Sequence, residues 1–310
     1  MKTIIFVSIV TSLLILVGCK VLNKPSVPID YYTKVQAASP IESKYTKLGG
    51  YSVKSKSYSS SGKAFTNCKI WYPSELENSN KKYPVVVFAN GTGVPYTKYE
   101  VLFEHLASWG FIAVGNDDKS SWSGLSSSQS LDLLLSENSD NKSVFYQKTN
   151  TDQIGISGHS QGGVGVINAV TNQANGHLFH AAFGASTPKH ELAVALKWSY
   201  DISKIVIPYF AVAGTESSDA GDGKDKNKGI APLWSMIDNY NKLPTNTPTV
   251  RARRKDTKHG QMLYNGDGYM TAWFLYTLTN NSESKQIFVG NNPELKQNPN
   301  WQDVEMKNLK

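Results

Sequence analysis

The chain has 310 residues, 40% of them apolar, and 32 Lys and Arg against 25 Asp and Glu give a net charge of +7. That length is enough for one large domain with a substantial core and leaves no call for a fold held by staples. The basic excess is modest, and no basic run is interleaved with aromatic residues, which excludes nucleic acid as the expected partner.

Met1-Lys2 is followed by an apolar run from Ile4 to Val17. The run is short for a bilayer span, which needs about 20 apolar residues, and it suits a signal peptide over residues 1–18. Its ending, Leu16-Val17-Gly18-Cys19, resembles a bacterial lipobox. The resemblance implies that Cys19 is lipidated and becomes the mature N-terminus; an uncut anchor helix is the alternative. Either way the protein is expected to leave the cytoplasm and stay near a membrane; the lipobox reading makes it exported and lipid-anchored at the bacterial cell envelope. Each acyl methylene contributes about 0.8 kcal/mol of membrane binding, so two or three chains hold a domain firmly. Residues 19–42 carry Pro25 and Pro28 and no apolar period, and read as a tether; residues 43–310 read as a single domain. If Cys19 is lipidated, Cys68 has no intrachain partner, and its place in an alternating run makes it a packed strand residue.

Two antiparallel strands are expected over residues 50–72, joined by a Ser-rich turn near Gly62. Strands and helices then alternate. Strands are predicted at 83–89, 111–114, 152–157, 181–185, 205–213 and 250–254. Helices are predicted at 99–109, 125–135, 163–170, 232–240 and 269–278. Apolar strands alternating with amphipathic helices predict an α/β class: a mostly parallel central sheet with helices on both faces. Ligands of such sheets bind beyond the carboxyl ends of the strands.

One of those ends carries Gly158-His159-Ser160-Gln161-Gly162. A strand turning this sharply into a helix needs nearly side-chain-free flanks and lifts the central hydroxyl clear of the sheet. Ser160 is therefore the candidate nucleophile. A serine needs a base and a third group to orient that base. His259 follows a late strand and faces the same crevice, so it is the candidate base. His159 is expected to point away from the hydroxyl, and His105 to lie on an outer helix. His177, His180 and His190 read as surface or capping residues. The acid belongs on the loop after residue 214, where Asp219 is the first choice and Glu216 the second. The Gly- and Lys-rich stretch that follows could hold a cation, though its spacing fits no calcium loop. Oxyanion donors are expected from the backbone N–H groups of Gln161 and Thr92, the latter in the turn Asn90-Gly91-Thr92-Gly93. Trp122 is expected to border the acyl site, with pocket width set by loops 120–130 and 190–204.

The order Ser160, Asp219, His259, the serine turn and the Asn90–Gly93 loop resemble the α/β-hydrolase superfamily. Segments Val212–Thr215, Ile230–Trp234, Arg253–Lys255 and Tyr269–Phe274 resemble its dienelactone-hydrolase-like and cutinase-like polyester hydrolase branch, over roughly residues 53–288. The resemblance implies an α/β-hydrolase fold and serine ester hydrolysis of a small ester or polyester, with no metal or organic cofactor. Two departures stand out: an insert at residues 220–229 lengthens the acid loop, and the disulfide frequent near the C-terminus of that branch cannot form here. Acyl transfer or amide hydrolysis would use the same residues. A surface-anchored binding protein that kept the fold without the chemistry is the rival from another class.

Overall fold

The computed structural model describes residues 25–61 and 63–310. The proposed signal peptide at 1–18 and Cys19 lie outside the described residues.

Nine strands form one sheet in the order β1-β2-β4-β3-β5-β6-β7-β8-β9. The strands are β1 (Val53–Ser59), β2 (Asn67–Pro73), β3 (Tyr83–Ala89), β4 (Ile112–Asn116), β5 (Thr149–His159), β6 (Ala181–Ala185), β7 (Tyr209–Gly214), β8 (Thr249–Arg254) and β9 (Trp301–Lys307). The central six, β4 to β8, are mutually parallel, while β1, β2 and β9 add antiparallel edges. Parallel strands require crossovers, and helices supply them: α3 (Glu100–Ser108), α4 (Leu125–Ser139), α5 (Gln161–Asn172), α6 (Leu233–Lys242) and α7 (Asp267–Thr279) follow two short N-terminal helices, α1 (Tyr31–Lys34) and α2 (Pro40–Thr46).

Alternation along β3 shows how the sheet divides two cores. Val86 and Phe88 face a layer with Phe103 of α3 and Trp273 and Phe274 of α7. Val85 and Val87 face Leu131 of α4 and Val164 and Ile167 of α5. All these side chains are nearly or fully buried. Both faces of the sheet are thus covered, as the unbroken apolar strands require.

Three expectations are corrected. The strand foreseen at 205–213 starts only at Tyr209, because Ile202–Lys204 form a tight turn that Ile205 closes and Pro208 lacks an N–H. The predicted elements end with the helix at 269–278, yet the stretch after residue 288 supplies β9, paired with β8 from Thr249↔Lys307 to Arg254↔Trp301. The third concerns the tether, which does not extend over residues 26–42. Val27 and Tyr31 are completely buried, and Glu42 is 2% exposed. The Glu42 carboxylate lies 2.7 Å from Arg254 Nη1 and accepts from Asn298 Nδ2 and Trp301 Nε1. Buried charges need partners of this kind, and here they fasten α2 to the end of β8.

Candidate active site

The turn after β5 sets the site. Ser160 has φ 59° and ψ −124°, a backbone state costing about 1–3 kcal/mol that persists only where its surroundings enforce it. The surroundings do so. A Cβ on Gly158 would stand 2.3 Å from the Gly162 carbonyl oxygen, and one on Gly162 would stand 2.0 Å from that of Ala89. No other residue fits at either flank. Ser160 N–H donates to the Ala185 carbonyl at 2.9 Å, tying the turn to the neighbouring strand. Gln161 is the first residue of α5, so its N–H belongs to the group of helix-start donors without an intrahelical acceptor. The positive end of the helix lies there as well.

The acid loop follows β7. Asp219 lies in a single helical turn, Ser217–Ala220, and is fully buried. Its Oδ1 accepts from His259 Nδ1 at 2.6 Å. Its Oδ2 accepts from Ser186 Oγ at 2.6 Å and from the Gly214 N–H at 2.8 Å. Each carboxylate oxygen therefore has a partner, and the carboxylate cannot swing away. The His259 N–H donates to Ser218 Oγ at 2.9 Å, which joins the two loops a second time. Gly214 permits this approach: a Cβ there would meet the Thr257 carbonyl oxygen at 2.0 Å. Glu216 stands ahead of the helical turn, and its N–H donates to the Thr257 carbonyl; the acid that meets the imidazole is Asp219.

Because a carboxylate only accepts, His259 Nδ1 carries the proton, and the neutral ring then holds its lone pair on Nε2. His259 and Ser160 line the same cleft, of about 570 Å³. Its other walls include Thr92 and Val94 from the loop after β3, and Leu263 and Tyr264 from the segment after His259. Thr92 sits in a turn closed by Val94 N–H to the Gly91 carbonyl and braced by the buried Asn90. Asn90 Nδ2 donates to the carbonyls of Asn116 and Asp118, and Tyr99 donates to Asn90 Oδ1.

Other sequence candidates fall elsewhere. Trp122 does not reach this cleft; it packs against the core beneath α4 and α5, and its carbonyl accepts from Asn168 Nδ2. Neither the 120–130 loop nor the 190–204 loop is among the cleft walls. His159 was expected to point away, but it forms a wall. Its Nε2 donates to the His259 carbonyl at 2.8 Å, and the two rings lie 4.5 Å apart. Burial, with His259 alongside, holds the His159 ring well below the ordinary histidine range, so it stays neutral. His105 was placed on an outer helix, yet it is sealed and lies 2.9 Å from the buried Asp267. The docked N-terminal segment covers that helix, which a tether would have left bare. His177 and His190 are exposed, in keeping with surface roles.

Among the described residues, no three or more His, Cys, Asp or Glu side chains gather as metal ligands. The acid-loop insert is organised by cations of its own chain. Lys189 Nζ donates to the carbonyls of Lys226 and Lys228, while Lys228 pairs with Asp222 at 2.7 Å. Sequence reasoning missed Ser186, Tyr99, His159 and Ser26 as members of the site or its supports. Only His159 carried a signal, since its place inside the serine turn puts it within a residue of the hydroxyl.

The parallel sheet with helices on both faces and a strained serine turn at a strand end constitute an α/β-hydrolase fold. A family model for PETase, described as PET hydrolase-like, matches residues 35–220, and the chain belongs to this family of polyester hydrolases. It is thus a hydrolase acting on esters. No curated protein matches the chain. The matched segment contains Ser160 and Asp219 and ends before His259, whose place in the site rests on geometry.

Proposed function

We propose that the protein is a serine esterase working through an acyl-enzyme. Ser160 attacks the ester carbonyl while His259 Nε2 takes its proton. Asp219 holds the imidazole in the required tautomer and stabilises its charge. The N–H groups of Gln161 and Thr92 receive the oxyanion, a contribution typically worth about 3 kcal/mol per donor. His259 then returns the proton to the leaving alcohol, and water, activated by the same base, releases the acid. The reading extends to location: export, with lipidation at Cys19 holding the enzyme at the bacterial envelope.

The observation that carries the mechanism is the 2.6 Å bond from His259 Nδ1 to a fully buried, three-times-bonded Asp219, with His259 and Ser160 lining one cleft. Fixed geometry of this kind is what turns a serine hydroxyl into a nucleophile. The test is p-nitrophenyl acetate hydrolysis by the Ser160→Ala protein. Turnover should fall to the level of the buffer blank. Undiminished turnover would falsify the assignment of the nucleophile.

A further inference from the structure

We infer that residues 26–34 are a specificity strap: a docked N-terminal segment that walls the substrate cleft and limits the size of ester it accepts. The inference rests on the hydrolase reading and names a selectivity element for that site. Ser26 is exposed and lines the cleft together with Leu263 and Tyr264. The segment is held at both ends. The N–H groups of Ser26 and Val27 lie 2.7 and 3.4 Å from the Lys98 carbonyl, and Val27 is buried in the core. Further along, Tyr31 is completely buried, with its ring 6.1 Å from that of Tyr264. Its hydroxyl donates to Asp267, whose carboxylate also faces His105 Nδ1 at 2.9 Å.

The anchor and the wall are thus one structure: the tyrosine that fixes the strap packs beside the tyrosine that lines the cleft. The strap also precedes residue 35, where the family match begins, so this wall is not part of the matched hydrolase segment. A cleft of about 570 Å³ is of ordinary small-ligand size, and moving one wall inward by a side chain removes a sizeable share of it. Compact esters should tolerate the wall, whereas long or bulky acyl groups must run alongside it.

The test compares kcat/KM for p-nitrophenyl decanoate and p-nitrophenyl acetate in wild type, Ser26→Trp and Tyr31→Phe. Ser26 is exposed, so the tryptophan enters the cleft without disturbing the core. The decanoate-to-acetate ratio should fall at least fivefold in Ser26→Trp. It should rise at least twofold in Tyr31→Phe, which keeps the ring and releases the anchor. A smaller change in Ser26→Trp shows that the strap does not gate the substrate, and an unmoved ratio in Tyr31→Phe shows that Tyr31 does not hold it. Wild-type protein that neither hydrolyses acetate nor reacts with a fluorophosphonate would remove the hydrolase reading, and the strap with it. Reactive wild type with unshifted ratios overturns the strap alone.

Discussion

Two histidine–aspartate pairs are built into this molecule, and they serve different ends. His259 meets Asp219 at 2.6 Å, and His105 meets Asp267 at 2.9 Å. Both aspartates are fully buried. The contrast lies in the second ring nitrogen. His105 Nε2 sits 2.8 Å from the Lys47 carbonyl, and the ring is sealed by Tyr31 and Thr271. The His259 side chain keeps 19% of its surface exposed, in a cleft that also holds Ser160. One pair is a closed strut between α3 and α7, sealed by the N-terminal segment; the other leaves its ring part-exposed in the cleft that Ser160 also lines. A His–Asp contact is therefore not a functional signal by itself. The signal is an oriented ring that shares an open cavity with a candidate nucleophile.

The largest effect that separates the pairs concerns activity. Asp219→Asn should lower kcat by roughly 10⁴-fold on p-nitrophenyl acetate, since an amide in that place favours the wrong tautomer. Asp267→Asn should leave kcat per folded molecule within about threefold. A similar loss in both proteins would erase the distinction.

Stability should show the reverse. Taking one acceptor from a buried hydrogen-bonded cluster costs about 1–3 kcal/mol, so urea unfolding should find Asp267→Asn destabilised by at least that order. Glu42→Gln should behave alike, because the buried Arg254 would lose its carboxylate. Unchanged midpoints would mean that the N-terminal segment docks without contributing to stability.

The smallest effect is a pH slope. His159 titrates near 6.5 in the unfolded chain, whereas burial depresses its folded value. Below pH 6.5 the unfolded state binds the extra proton, so stability is lost as pH falls, by at most about 1.4 kcal/mol per pH unit. His159→Gln should flatten the slope of unfolding free energy between pH 4 and 6. An unaltered slope would show that the ring is not held neutral.

Much of this was legible in the chain. The apolar runs of β3 and β5 have to be buried on both faces, and the two glycines around Ser160 announce a turn that nothing larger could make. That His259 shares a cleft with Ser160 follows from its place after a strand and before a helix. What escaped was information carried by long-range pairing. Residues 26–46 are rich in polar side chains, and only the distant Arg254, Asn298 and Asp267 turn Glu42 and Tyr31 into buried residues. Tyr45 and Thr46 are buried against the rest of the fold in the same way. β9 has no clear alternation because it is an edge strand, mostly half-exposed on both sides. Trp122 was drawn toward the cleft by its position after a strand, but sequence position does not say which side of a short turn the indole takes.

The central claim is that Ser160 is activated by its surroundings, as no ordinary serine hydroxyl would be. Reaction with a fluorophosphonate followed by peptide mapping tests it directly. A single covalent adduct on the peptide containing Ser160, absent from the His259→Ala protein, is the predicted result. A protein left unlabelled, or one labelled only at another residue, would contradict it.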